Sequence, residues 1–163
     1  MKRIISLLAL LSVLLSLIGC QSRNENHVSF YYCRQPSDQR YFEEGVICAE
    51  DRDMHGYNGN LRYAIGLYLA GPMEEGLRAP LPQSVKLLSV ERTLEAVALT
   101  FSDLDTALTD AEFTIACACL TLTCADLTGC RQVTVISGDR SLTMTSESFR
   151  FMDSVTPETT EGD

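Results

Sequence analysis

The stretch TDAEFTIACACLTLTCADLTG, residues 109–129, decides the fold because it joins a helix start and a helix stop to a long apolar interior. Thr109 and Glu112 match a capping box, in which a hydroxyl and a carboxylate three residues later satisfy two backbone N–H groups at the helix start. The apolar interior runs through Cys124, and Gly129 is suited to end a helix. The sequence therefore predicts a long helix that belongs to the core.

Three cysteines lie within this helix: Cys117, Cys119 and Cys124. At 100° per residue, Cys117 and Cys119 point about 200° apart, and Cys117 and Cys124 share a face but lie about 10 Å apart along the axis. Neither pair can form a disulfide, whose Cα atoms lie within about 7 Å of each other. We predict that these side chains pack in the core as small hydrophobic groups. If the segment were a strand, Cys117 and Cys119 would lie on one side about 7 Å apart, and a zinc site would be open again.

The segments around this helix alternate between strand and helix patterns. A helix capped by Asn60 is predicted to end at Gly71-Pro72, and Gly66 inside it is interpreted as a close-packing position against the sheet. Strand patterns cover residues 28–33, 46–48, 85–89, 97–101 and 130–137, and residues 139–146 are a further candidate. This order predicts an α+β fold, with a small sheet of about four strands and two helices packed on one of its faces.

The amino terminus has the pattern of an exported lipoprotein. Lys2 and Arg3 precede an uncharged apolar run at residues 4–18, which is too short for a comfortable membrane span of about 20 residues. The following residues, LIGC at 17–20, resemble the bacterial lipobox. We predict cleavage between Gly19 and Cys20 and attachment of acyl chains such as palmitate to Cys20. The alternative is an ordinary signal peptide or an anchor helix with an incidental cysteine.

This interpretation divides the chain into a signal peptide at 1–19, a tether at 20–27, a single domain at 28–151 and a disordered acidic tail at 152–163. It places the domain on the extracytoplasmic face of the bacterial cell membrane. Removing residues 1–19 takes the formal net charge from −9 to about −11. A domain this acidic is not drawn to nucleic acid or to anionic headgroups, so the lipid on Cys20 must supply the membrane attachment.

No motif for a nucleophile elbow, a zinc protease or a phosphate-binding loop is present, so we predict no enzymatic activity and no cofactor. Asp51, Asp53 and His55 could bind a divalent cation or a small ligand in an acidic loop at 50–55, and this is the alternative function. Cys33 and Cys48 lie on adjacent elements of an exported chain, which makes a disulfide between them a candidate. A bridge between Cys124 and Cys130 is a second, weaker candidate.

Several of these segments together resemble the GerMN domain, which is named for a sporulation and germination protein and occurs in many bacterial lipoproteins. The resembling segments are VSFYYC, LRYAIGLYLAGP, LRAPLPQSVKLLSV, EAVALTFS and RQVTVISG, in this order. The most specific part is a helix end at Leu69, Gly71 and Pro72, followed ten residues later by Leu81 and Pro82.

The resemblance implies a sandwich similar to the ring-building domains of secretion systems. It also implies a non-enzymatic module that binds envelope proteins or cell wall, with a link to sporulation or envelope assembly. The natural docking surfaces of such a module here are an exposed sheet edge and the loop Met73–Ser84.

Overall fold

The structure is a computed structural model that describes residues 27–38, 40, 45–54 and 57–149. The predicted signal peptide, nearly all of the tether and the acidic tail lie outside the described residues. The strands are β1 His27–Arg34, β2 Ile47–Asp53, β3 Leu77–Arg78, β4 Leu87–Arg92, β5 Ala96–Phe101, β6 Gln132–Ser137 and β7 Arg140–Thr145. The helices are α1 Leu61–Leu69, α2 Leu104–Ala107 and α3 Asp110–Thr128, with a 3-10 turn at Ser146–Ser148. Short β3 and α2 were not predicted.

The strands form two sheets, one of three strands in the order β2-β1-β3 and one of four in the order β4-β5-β6-β7. Pairing is antiparallel except between β5 and β6, which run parallel. A parallel pair needs a long crossover, and α3 lies within the connection between these two strands. The α+β class is as predicted, but the strands are divided between two sheets and are not gathered into one.

The reason for two sheets lies in α3, which is buried on nearly every side. All residues from Ala116 to Cys124 are buried, a run of more than two helical turns. The helix contacts β1 in the first sheet and β6 and β7 in the second. A helix that is apolar all round must be covered on more than one side, so one sheet is not enough. By length and composition alone α3 is also long and apolar enough to cross a membrane, but here 56% of its apolar window is buried inside the protein.

Both ends of α3 lie where the sequence predicts them. Thr109 Oγ1 accepts a hydrogen bond from the Glu112 N–H at 3.4 Å, and the Glu112 carboxylate accepts one from the Thr109 N–H at 3.0 Å. This bond from the Thr109 backbone lowers the pKa of the Glu112 carboxyl below its ordinary value. Gly129 ends the helix in the left-handed region at φ 69°, a conformation that glycine adopts without strain.

Helix α1 begins at the predicted cap, where the Asn60 side chain accepts a hydrogen bond from the Tyr63 N–H at 3.2 Å. Its buried residues are Leu61, Ala64, Ile65 and Tyr68. The interpretation of Gly66 is wrong, because Gly66 is exposed and an added Cβ there would meet no atom within 4 Å. Gly66 therefore packs against no sheet.

Strand β2 extends further than the predicted 46–48. It pairs with β1 in continuous antiparallel register from Ile47 opposite Cys33 to Asp53 opposite His27. Residues 50–53 thus lie on a strand and not in the predicted acidic loop. Pairing with β1 overrides the low strand propensity of the acidic residues.

The side of β1 that faces away from β2 is covered mainly by α3. The Ser29 N–H donates to Asp126 Oδ2 at 2.7 Å, and the Tyr31 N–H donates to Thr123 Oγ1 at 2.9 Å. Only further along, at Cys33, does the short β3 take over this side. We call the backbone of Ser29 and Tyr31 the β1 inner edge. Here side-chain oxygens of a helix accept hydrogen bonds from these N–H groups, which would otherwise donate to the carbonyls of a neighbouring strand.

Candidate functional site

The structure separates the predicted site residues. Gly19 and Cys20, the predicted cleavage and lipid-attachment site, lie outside the described residues, and so does His55. Asp51 and Asp53 are two residues apart on β2 and therefore share one face of the strand. Within the described part of the chain, no group of three or more His, Cys, Asp or Glu side chains is arranged to hold a metal ion.

The structure does not support the disulfide predicted between Cys33 and Cys48. Cys33 lies opposite Ile47 and Cys48 lies opposite Tyr32. Because cross-strand partners share a face and neighbours alternate, the Cys33 and Cys48 side chains point to opposite faces of the sheet. Cys124 and Cys130 are likewise not bonded to each other.

The three cysteines of α3 pack in the core, as predicted. Cys117, Cys119 and Cys124 are fully buried. Burial raises the pKa of the Cys117 thiol to about 12 and raises that of Cys124 further. These two thiols are protonated and unreactive at neutral pH.

The outer edge of β2 is exposed in the described structure. Because the β1 inner edge points toward α3, the alternate residue Phe30 directs its backbone groups toward β2, where it pairs with Glu50. Ala49 and Asp51, on either side of Glu50, must then direct their N–H and C=O groups away from β1. Among the described strands, β2 is the end member of its sheet, so these groups face no further strand. We call them the β2 outer edge.

A buried ion pair holds a turn beside this edge. Glu50, which is 5% exposed, accepts a hydrogen bond from Arg52 Nε through one carboxylate oxygen. Its other oxygen accepts the N–H groups of Met73 and Glu74 at 2.8 and 2.9 Å. Arg52 Nη2 donates to the Gly71 carbonyl at 2.9 Å. The pair thus fixes the turn at residues 71–74 against β2.

The β2 outer edge and this turn form the two walls of an open groove of about 530 Å³. The lining residues are Ala49, Glu50, Asp51, Arg52, Met73 and Glu74. Met73 is 79% exposed, although it is a large apolar side chain. The two docking surfaces named from the sequence, a sheet edge and the loop after α1, therefore meet in one place.

The residues of the GerMN-like motif lie at the end of α1 and in the segment after it, which includes the turn of this groove. Leu69 is the last residue of α1. Gly71 adopts φ 98°, which lets the chain turn, and its carbonyl accepts the hydrogen bond from Arg52 Nη2. Leu81 is buried in the core, and the Pro82 carbonyl accepts a hydrogen bond from the Val85 N–H at 3.1 Å.

Sequence reasoning missed the roles of Glu50 and Arg52. The available signal was the alternation of opposite charges at two-residue spacing, which on a strand places both side chains on one face. Because the sequence predicts a loop at 50–55, and a loop has no regular alternation of faces, this spacing does not indicate that the two side chains meet.

Three other large apolar side chains are exposed among the described residues: Tyr63, Leu88 and Leu94. Leu88 lies at an irregularity in the pairing of β4 with β5, and Leu94 lies at the tip of that hairpin with 97% of its surface exposed. None of the three lines the groove beside β2.

Comparison with known proteins gives a structural likeness but no match in sequence. No protein-family model matches the chain, and no curated protein matches it. The first GerMN domain of the sporulation protein GerM from Bacillus subtilis is similar in structure, with a TM-score of 0.54 and 16% identity over 71% of this chain and 85% of that one.

Two further structures are similar at lower scores. The tandem GerMN domains of the same protein give a TM-score of 0.48 with 18% identity, covering 70% of this chain and 39% of that one. A candidate lipoprotein from Clostridium perfringens gives 0.44 with 16% identity, covering 75% and 88%. Of these likenesses, the first is close enough to show a shared fold.

The chain therefore has a GerMN-type fold. This agrees with the resemblance seen in the sequence segments, which lie on β1, α1, the β4–β5 hairpin and β6.

Proposed function

We propose that this protein is a lipid-anchored, non-enzymatic module of the cell envelope that binds an extended segment of a partner protein along β2. The observation that supports it is the β2 outer edge, whose outward backbone groups lie beside the ordered turn that carries exposed Met73. An extended peptide can add to such an edge through main-chain hydrogen bonds, and neighbouring side chains then select the sequence.

The charge of the groove indicates a basic partner segment. Glu50 and Arg52 neutralise each other within the wall, which leaves Asp51 and Glu74 as the acidic side chains of the lining. The chain as a whole carries a net charge of −9, so its field also favours a positively charged partner.

The fold and the amino-terminal pattern support the location. A GerMN-type fold occurs in a sporulation protein, and the basic start, the apolar run and Cys20 together favour export and acylation. A lipid on Cys20 would hold the domain near the outer face of the membrane on a tether of a few residues. The domain then meets envelope partners in two dimensions, which raises their effective concentration.

Photocrosslinking in the cells that make the protein tests the docking surface. A photoreactive amino acid replaces Met73 in one strain and Leu94 in another. Both positions are highly exposed, but Met73 lies in the turn beside β2 and Leu94 lies at the tip of the β4–β5 hairpin. We expect a discrete crosslinked protein from position 73 and none, or only scattered products, from position 94. The Asp51→Lys variant should abolish the product at position 73. A product at position 94 alone would move the docking surface to the β4–β5 hairpin and contradict the proposal.

The anchor is tested separately with Cys20→Ala. We expect the unmodified, unprocessed chain in place of the mature acylated protein, with a lower share in the membrane fraction. Equal processing and equal membrane attachment in this variant would contradict the lipid anchor without affecting the docking surface.

A further inference from the structure

We propose that two copies of this chain pair through the free edge of β7, antiparallel and centred on Thr143, so that their four-stranded sheets join into one. Among the described strands, β7 is the end member of its sheet, with β4 at the opposite end. This edge belongs to a different sheet from the β2 outer edge, and the inference does not depend on the proposed function.

Alternate residues of β7 direct their backbone groups away from β6. Pairing with β6 is continuous along the whole of β7. In the same register, one position beyond β7, the Ser146 N–H donates to the Arg131 carbonyl at 3.0 Å. Because backbone groups alternate in direction along a strand, the even-numbered residues of β7 also face β6. Ser141, Thr143 and Thr145 must then direct their N–H and C=O groups outward, and we call these groups the β7 outer edge.

The β7 outer edge lacks the features that normally keep a strand edge unpaired, which are charged side chains, prolines and bulges. Residues 141–145 contain no charged residue and no proline, and their pairing with β6 has no irregularity. At the opposite edge of the sheet, by contrast, the pairing of β4 with β5 is irregular between Leu87 and Ser89. There Arg62 Nη2 also donates to the Leu88 carbonyl at 2.9 Å. The sheet therefore has one protected edge and one that is open to another strand.

A second copy of β7 fits this edge residue by residue. When the two strands run antiparallel about Thr143, this residue lies opposite its own copy, and Ser141 of each chain lies opposite Thr145 of the other. All three pairs consist of outward-facing residues, so each exchanges two main-chain hydrogen bonds and together they supply about six. Between them, Leu142 of each chain lies opposite Met144 of the other, so that apolar side chains also meet across the seam.

An open groove on the α3 side of β7 leaves room for the second copy. It has a volume of about 350 Å³, with Leu142 on its β7 wall and Phe113 and Thr114 on its α3 wall. Leu142 and Met144 are only partly buried against the core. In the paired arrangement, Met144 of the second copy projects beside Leu142 and covers apolar surface that a single copy leaves half-exposed.

The lack of charge on this edge favours a second copy over a charged partner. A charged segment would find no counter-charge between residues 141 and 145. Arg140, at the start of β7, already donates to the Leu108 carbonyl and to Asp110, each at 2.9 Å. The second copy brings the same uncharged run, so hydroxyl side chains meet on one face of the sheet and apolar side chains on the other.

Disulfide crosslinking in cells that make the full-length protein tests this pairing. The Cα atoms of hydrogen-bonded antiparallel partners lie about 5.5 Å apart, which a disulfide can span. Thr143→Cys should therefore form a disulfide-linked dimer when intact cells are treated with copper phenanthroline, and dithiothreitol should reverse it. Two differently tagged copies made in the same cell identify the product, because each tag should retrieve the other.

Ser141→Cys is the matched control, because Ser141 is exposed on the same edge as Thr143. In the proposed register the two copies of Ser141 lie about 14 Å apart along the strands, beyond the reach of a disulfide. Ser141→Cys alone should give no more dimer than the wild type, whereas Ser141→Cys combined with Thr145→Cys should give as much as Thr143→Cys. Equal crosslinking of the two single variants, a product with a different protein, or no dimer from either Thr143→Cys or the double variant overturns the proposal.

A charge at the centre of the edge gives a second measurement. Thr143→Lys places two ammonium groups directly opposite each other, which destabilises a cross-strand pair. Added to the Ser141→Cys, Thr145→Cys chain, it should abolish the dimer. Leu94→Lys adds the same charge at the exposed tip of the β4–β5 hairpin and should leave the dimer unchanged. Undiminished crosslinking with Thr143→Lys, or an equal loss with both lysine variants, contradicts pairing through β7.

Discussion

The role of the β1 inner edge is tested most directly at Thr123, which is fully buried and accepts a hydrogen bond from the Tyr31 N–H at 2.9 Å. Thr123→Val keeps the shape of the side chain but removes the acceptor oxygen. A buried donor left without a partner costs about 1–3 kcal/mol. Because this N–H is only partly buried, we expect a loss of roughly 2 kcal/mol in the free energy of unfolding.

Thr121→Val is the matched control. Thr121 is also buried on α3, but its hydroxyl donates to the Cys117 carbonyl one turn earlier at 2.8 Å. That carbonyl keeps its helical hydrogen bond, so this change should cost no more than about 0.5 kcal/mol.

Urea unfolding followed by circular dichroism measures both variants. With a slope of about 2 kcal/mol per molar urea, the Thr123 variant should unfold at a midpoint roughly 1 M lower than the wild type. Equal midpoints for the two variants would refute the idea that side chains of α3 complete the hydrogen bonding of β1.

Three further changes test other parts of the structure. Gly66→Ala should raise the free energy of unfolding by about 0.5–1 kcal/mol, because Gly66 is an exposed helical residue with space for a methyl group; a loss would mean that α1 is not helical there. Glu50→Ala should lower the free energy of unfolding by roughly 2–3 kcal/mol. This is somewhat less than the cost of breaking a fully buried ion pair, because Arg52 keeps 15% of its side-chain surface exposed. Amide exchange in the turn at 71–74 should then speed up, and unchanged exchange would contradict the role of the ion pair. Thr109→Ala should cost about 1 kcal/mol through loss of the α3 cap, measured by the same urea titration, and no loss would show that the cap is dispensable.

The elements that the sequence predicts well are those with local signals. The Thr109 capping box and Gly129 define α3, and Asn60 defines the start of α1, because a helix end is determined by a few neighbouring residues. The buried face of β5, with Val97 and Leu99, follows from alternation alone. These signals need no knowledge of the rest of the chain.

The division into two sheets depends on distant contacts that no local pattern contains. The two hydrogen bonds of the β1 inner edge join residues 92 and 97 positions apart. Thr123 and Asp126 were visible as polar residues in an apolar helix, but nothing nearby indicates that they accept bonds from a strand. The burial of α3 on more than one side, in contrast, can be predicted from the sequence, because the helix is apolar on all its faces.

The candidate groove was predicted in its parts but not as a whole. An exposed edge and the loop from Met73 were both named from the sequence, and the contacts of Glu50 and Arg52 bring them together. Cys20 lies outside the described residues, so its acylation stays a prediction.

The distance in sequence between the two halves of the β1 inner edge has a consequence for the newly made chain. Ser29 is synthesised 97 residues before its partner Asp126. At about 5–20 residues per second, roughly 5–20 s pass before that partner exists. In a chain that folds as it is made, for example one expressed without residues 1–19, β2 can pair with β1 during this interval. The other side of β1 is then an exposed strand edge, which is a template for pairing with another chain. Ribosomes that follow closely on one messenger would place such edges side by side, so rapid overproduction should favour aggregates that a slower rate of synthesis avoids.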